Sequence, residues 1–515
     1  MDSEALFKFI GVLLYMGVLV GIGVIASRRM HDLKDYFAAG KKLGFLSVAF
    51  SARATGESAW LLLGLTGMGA ALGMKAFWVV LGEVLGVAGA WLLMSRRFHR
   101  MTVRYNAITI PDYLEARFRD NTKRIRLVAA FALTIFVTIY VSAQIDATGS
   151  AFETFLGWNY SVGALVGFAI VVCYIVSGGF LAVAWSDVFQ GTLMLVGLVA
   201  LPLVGWFAVG GWSEISAGLA AADPALLTAS GAGGWSVENT LGIVGLALIG
   251  LGFLGSPQIF VRFLALRDEK EIRNGTAVAL IWTLLADSGA VLTGIIGRVV
   301  LMDAGGDVGD TLGNGAQNVL PMLVEHLFPL FIVGLYIAVV LSAIMSTVDS
   351  LLVLASSAAV RDWYQQVRNP EIPDDQLVPI SRKTTLGLAV AALAIAMTVA
   401  AVSPTRTVFW FVIFGWSGIA ATFCPTMILS LFWTKMTGRG ALAAMITGFL
   451  AVPFFKFIAP KLAVVGPWFE ALSELPPAFA VSMLAGALWS LSDKEGQAKL
   501  ADIAQDWSEN ANSSS

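Results

Sequence analysis

Long apolar runs alternate with short polar stretches along almost the whole chain. An α-helix needs about 20 apolar residues to cross about 30 Å of hydrocarbon. About 13 runs meet that length, near residues 5–26, 44–70, 74–96, 124–152, 160–179, 187–211, 238–257, 274–300, 326–356, 382–402, 407–433, 439–459 and 467–491. The pattern predicts an all-α polytopic membrane protein, with one transmembrane domain over residues 1–491. Residues 492–515 read as a polar tail, expected to be largely disordered. The first run, Leu6 to Ala26, is too long for a signal-peptide core and lacks a convincing cleavage site, so it is expected to be retained.

Composition agrees with the pattern. The 515 residues are 57% hydrophobic and only 13% charged, where a soluble chain carries about 25% charged. Mean hydropathy is +0.78. A net charge of −2 gives no general affinity for nucleic acid. Cys173 and Cys424 both fall inside apolar runs, which argues against a disulfide framework or a cysteine metal site.

Charge orients the spans. With the N-terminus outside, the cytoplasmic loops would be 27–43, 95–126, 258–273, 357–383 and 434–440, plus the tail. They would hold about 26 of the 33 Lys and Arg residues, the positive-inside asymmetry. Arg28, Arg29, Lys34, Lys41 and Lys42 lie in the first of these loops. The opposite loop 212–237 has none.

Two spans look broken. Span 2 contains SARATGESAWLLLGLTG (Ser51 to Gly67), with Arg53, Thr55, Gly56, Glu57 and Ser58 inside an apolar run. Charge and irregular backbone survive at that depth only when buried in protein or lining a cavity. Span 7 ends in IGLGFLGSP, where Gly250, Gly252, Gly255 and Pro257 weaken a helix. Interrupted segments five spans apart fit an inverted repeat with its site at the midplane. Close helix packing is the other use of such glycines.

Span 9 holds the second polar face. Ala343, Ser346, Thr347 and Ser350 recur at i, i+3, i+4 and i+7, and Asp349 borders that face. Hydroxyls and a carboxylate are hard oxygen ligands suited to a small cation. The hydroxyls could equally bond back to their own helix or join neighbours. Asp187 opens span 6, either as a helix cap or as a ligand. Gln144, Asp146 and Asp287 are further intramembrane polar groups. Arg53 and Glu57, four apart, either pair and lock the break or leave Glu57 to bind a cation or proton.

Five stretches resemble one family: DYFAAGKKLG (Asp35 to Gly44), SARATGESAWLLLGLTG, TIPDYLEARF (Thr109 to Phe118), GGFLAVAWSDVFQ and AIMSTVDSLLVLASS (Ala343 to Ser357). Together with the spans they are similar to the sodium:solute symporters, nearest the bacterial sodium/proline branch. The resemblance implies a five-plus-five inverted-repeat (LeuT-like) core, with repeats near 44–211 and 238–433. It implies a sodium site of backbone oxygens from Ala54, Glu57 and Ala343 with the hydroxyls of Ser346 and Thr347. A second sodium site, present in some members, would map to Asp187, Ser346, Asp349 and Ser350. Substrate contacts would map to Trp60, Tyr140 and Gln144, and to Phe253, Ser256 and Pro257. This chain departs from the family at Gly56, where proline symporters carry an acidic residue important for sodium. Adjacent Glu57 either supplies that charge or pairs with Arg53. Ile249 stands where the proline branch has an aromatic.

The resemblance implies a secondary-active symporter in a bacterial plasma membrane, with the C-terminus cytoplasmic. It would couple inward sodium flux to uptake of proline or a similar amino acid, without an organic cofactor. Proton coupling, another solute such as a sugar or carboxylate, and a transporter-like sensor are the alternatives. No enzyme is expected: His31, His99 and His326 fall in loops or at span ends, and no nucleophile–base set gathers in the spans.

Overall fold

The computed structural model describes residues 3–27, 43–303 and 305–503. The loop bases Arg28 to Lys42, His31, most of DYFAAGKKLG and the end of the tail lie outside the described residues. Among the described residues the regular structure is helical, and the β contact is an isolated bridge between Leu43 and Leu266. A chain in hydrocarbon must satisfy its backbone internally, and helices do so segment by segment.

The helices used below are α1 (Ser3–Ser27), α2 (Phe45–Ala59), α3 (Thr66–Leu72), α4 (Phe77–Ala88), α5 (Ser95–Arg104), α6 (Ile110–Phe118), α7 (Arg124–Leu156) and α8 (Tyr160–Val209). They continue with α9 (Val237–Ala247), α10 (Pro257–Ala265), α11 (Ile272–Leu301), α12 (Leu330–Ser357), α13 (Asp374–Val402), α14 (Val408–Phe432), α15 (Gly438–Phe457) and α16 (Leu475–Ser492).

Among the described residues 11 helical stretches are long and apolar enough to cross a membrane, where the sequence reading has about 13. Two places account for the difference. Expected spans 2 and 3 form one stretch, Phe45–Arg104, that turns at Gly73. Expected span 5 contributes only the shorter apolar segment Tyr160–Val172, and its helix runs on into span 6 as α8. Asp187 therefore lies well inside α8 and does not cap a helix.

Burial sorts the helices into layers. The apolar windows of α12 and α14 are each 83% buried, while that of α13 is only 22% buried. α12 is thus central, packed against α1, α2, α7 and α8, and α11 packs on α2, α3, α4 and α8. α14 closes the other side against α7, α15 and α16. Spans 2 and 7 meet the core at their breaks. The backbone of Leu248–Phe253 crosses α4 so closely that a Cβ on Gly250 would lie 1.9 Å from the Gly82 carbonyl oxygen. Only glycine permits that approach.

Candidate functional site

Span 2 breaks at Ser58 (φ 49°, ψ −166°), two residues beyond the glycine that its sequence suggests. A serine in the left-handed region is strained unless its surroundings hold it there. Gln144 of α7 supplies the hold. Its Oε1 accepts the Ala59 N–H at 3.0 Å, and its Nε2 donates to Ser58 Oγ at 3.3 Å. The Tyr140 hydroxyl adds a bond to the same Oγ at 3.4 Å. Beyond the break the chain continues as a wide turn, Trp60–Leu65. Trp60 folds back to donate its indole N–H to the Gly56 carbonyl at 3.2 Å and meets Phe409 edge-on.

Span 7 breaks between the 3₁₀ turn Leu248–Phe253 and α10, through Gly255 at φ 134°. The freed carbonyls find side-chain donors. Trp416 Nε1 bonds the Ile249 carbonyl at 3.2 Å, and Ser256 Oγ bonds that of Gly252 at 2.5 Å. Pro257 begins α10, where its missing N–H costs nothing. Phe253 stacks at a tilt on Trp416 and lies against Gly56, where an added Cβ would sit 2.9 Å from its Cε1. The ring therefore fills the place where an acidic side chain at position 56 would begin. All six expected substrate residues are buried, and they line the two breaks: Trp60, Tyr140 and Gln144 at span 2, Phe253, Ser256 and Pro257 at span 7.

α12 joins α2 just before the first break. Ser346 Oγ lies 2.9 Å from the Ala54 carbonyl and 3.2 Å from that of Ala343. Thr347 Oγ1 lies 3.1 Å from the Thr55 carbonyl and 3.2 Å from that of Ala343. Each hydroxyl has one proton and two carbonyl acceptors within reach. The cluster is therefore richer in acceptors than in donors, fully buried and uncharged, which suits a small hard cation. Of the expected sodium ligands, Ala54, Ala343, Ser346 and Thr347 come together. The Glu57 carbonyl instead accepts the Trp60 N–H. The Thr55 carbonyl, which sequence reasoning missed, joins the group.

Two of the residues mapped to the second sodium site, Asp187 and Ser350, hold a guanidinium. Arg262 is fully buried on α10, not in the loop that the sequence pattern assigns it. Its Nη2 donates to Thr55 Oγ1 at 2.6 Å, to Asp187 Oδ2 at 3.2 Å and to Ser350 Oγ. Its Nε donates to Ser51 Oγ at 3.0 Å, and Ser51 in turn donates to Asp187 Oδ2 at 2.6 Å. Asp349 is fully buried, and its carboxylate accepts the Ser350 N–H at 2.5 Å.

On the opposite face of α2, Arg53 and Glu57 form an ion pair, so the Glu57 carboxylate turns away from the hydroxyl pair. Glu83 of α4 lies 3.8 Å from Arg53, and Asp287 of α11 completes the cluster. Asp146 sits apart from these groups. It accepts from the Tyr160 hydroxyl at 2.6 Å and from Arg406 Nε at 2.9 Å, tying α7 and α8 to the segment before α14.

Two broken helices meeting buried oxygens at the middle of a helical membrane bundle are the architecture of a secondary transporter. The comparisons place it within that class. The profile of the sodium:solute symporter family matches residues 36–448, and the chain belongs to that family. It is 35% identical over 464 residues to the high-affinity proline transporter PutP of Bacillus subtilis, covering 90% of this chain and 93% of that protein. It is 31% identical over 491 residues to the sodium/proline symporter of Escherichia coli, covering 94% and 93%. A Na⁺-coupled sialic acid symporter in a substrate-bound outward-open state superposes with a TM-score of 0.76 at 19% identity, over 94% of this chain and 97% of that one. MhsT in complex with L-phenylalanine superposes with a TM-score of 0.53 at 15% identity, over 86% and 98%. Both likenesses concern the fold, which is LeuT-like. Members of the family are transporters, so the chain is not an enzyme.

Proposed function

We propose that the chain imports proline, or a closely similar amino acid, together with sodium across a bacterial plasma membrane. The observation that carries the coupling ion is the acceptor-rich pair of hydroxyls, Ser346 and Thr347, facing the carbonyls of Ala54 and Thr55. Sodium held there fastens α12 to span 2 just before its break. Substrate bound at Trp60, Tyr140 and Gln144 is then coupled to the ion through the same few residues, and each raises the affinity of the other. The solute's carboxylate lies toward the positive ends of the half-helices after the breaks, including the N-terminus of α10. Proline is favoured by the relatives, which are named proline transporters at 31–35% identity over most of both chains.

At Asp187, Ser346, Asp349 and Ser350, a second sodium enters only when Arg262 has withdrawn, because the guanidinium already supplies the positive charge that Asp187 needs. The repeats run over about residues 44–211 and 238–433, as the two breaks five spans apart suggest; the N-terminus lies outside and the C-terminus is cytoplasmic, by the distribution of Lys and Arg. Labelled proline uptake into proteoliposomes, under an imposed sodium or an imposed proton gradient, tests the reading. Stimulation by sodium supports it; stimulation by protons alone overturns the coupling ion, and uptake of another solute in preference overturns the substrate.

A further inference from the structure

The charged face of α2 contains a site that the sodium and solute reading does not use. Glu57, Glu83 and Asp287 come from three elements, and one carboxylate oxygen of each lies within 4.8 Å of the others. All three residues are fully buried. Both oxygens of Glu83 and both of Asp287 lack a hydrogen-bond partner, although they point into the same small volume. Arg53, the nearby cation, pairs with Glu57, and its guanidinium rests over the Phe253 and Trp282 rings. A buried charge is costly unless it is paired and hydrogen-bonded. One guanidinium can balance only one of three carboxylates, so the other two are held either by protons or by a bound cation.

We propose that Glu57, Glu83 and Asp287 form a site for a hard metal cation of the size of sodium or calcium, separate from the hydroxyl pair of α12. The donors are all carboxylate oxygen, the choice of hard ions. Separations up to 4.8 Å put a central ion at most about 2.8 Å from each oxygen. Oxygens this close together can all come within the 2.3–2.6 Å of calcium, which sodium matches in ionic radius. Glu83 and Asp287 can offer two oxygens each and would supply most of the protein's share of the shell, while Arg53 pairs with Glu57. α2, α4 and α11 would then be fastened to one another by the ion as α2 and α12 are by the other.

The inference does not depend on which solute is carried. Equilibrium binding of ²²Na⁺ and ⁴⁵Ca²⁺ to the purified full-length protein tests it without transport. Binding of either ion at one site per chain, lost in both Glu83→Gln and Asp287→Asn and retained in Ser346→Ala/Thr347→Ala, supports the site and identifies its ion. Binding unchanged in both carboxylate variants overturns it, as does binding of neither ion outside the hydroxyl pair. Because a carboxylate variant can fail to fold, the Ser346→Ala/Thr347→Ala protein, whose three carboxylates are intact, provides a second reading: the same ion must raise its unfolding temperature. No such rise also overturns the site. Loss of sodium binding only in the Ser346→Ala/Thr347→Ala protein would leave the transport reading intact while removing this one.

Discussion

Two fully buried arginines flank the broken part of α2, and they are held in opposite ways. Arg262 spends its donors on Ser51, Thr55, Asp187, Ser350 and the Gln258 carbonyl. Arg53 has a carboxylate beside it, two more close by, and the faces of Phe253 and Trp282 against its guanidinium. On the first face a charge pair is embedded in hydroxyls, and next to it lie neutral oxygens ready for an ion. On the second, carboxylates outnumber their cation. Hydroxyls and carbonyls can hold a cation and release it without leaving net charge behind. Carboxylates bind more strongly and leave a larger charge uncovered when emptied. The neutral face is therefore the better place for an ion that must unload in every cycle, and the acidic face for one that stays.

Substitutions separate the two faces, beginning with the largest effect. Arg262→Met strands Asp187 and should destabilise the protein by about 3–5 kcal/mol, as breaking one side of a buried pair does. Adding Asp187→Asn should restore most of that loss in denaturant unfolding in micelles. Equal loss in single and double variants would show that Arg262 acts by packing. Ser346→Ala and Thr347→Ala each remove an oxygen facing the ion. Each should weaken sodium dependence of uptake roughly 10- to 100-fold, the worth of a hydrogen bond to a charged group at about 1.5–3 kcal/mol.

Gln144→Leu leaves the Ala59 N–H buried without its acceptor, at a cost of about 1–3 kcal/mol. Its expected signature is a raised KM for proline with less change in the sodium dependence. Gly56→Ala is the mildest of the set. Its methyl meets the Phe253 ring edge at 2.9 Å, an overpacking cost of about 1 kcal/mol that Phe253→Leu in the same chain should relieve. If Gly56→Ala is neutral by itself, the ring does not control what position 56 can carry.

The sequence made the pairing of span 2 with span 9 legible because charged and hydroxyl residues stand out in apolar runs, and a hydroxyl row at helical spacing has one face. Span number was harder to read. Gly178 and Gly179 suggest an end to span 5, yet the helix continues through them into α8, so local propensity yields to the surrounding fold. The loop that the sequence pattern assigns to Arg262 fails for a physical reason. Pro257 ends a helix in its interior but is well placed at a helix start, and here it opens α10, carrying Arg262 inward. The break in span 2 falls at Ser58 because Gln144, far away in sequence, captures the Ala59 N–H. No local pattern encodes that partner. Glu83, a lone carboxylate within an apolar run, stands out in the sequence in the same way.

Sodium-dependent binding of labelled proline to the purified protein, in the wild type and in Ser346→Ala/Thr347→Ala, tests the central claim most directly. Proline should bind the wild type only when sodium is present, and the double variant should need at least about tenfold more sodium for half-saturation. Proline binding that is equal with and without sodium, or a double variant with the wild-type sodium requirement, would contradict the placing of the coupling ion between α2 and α12.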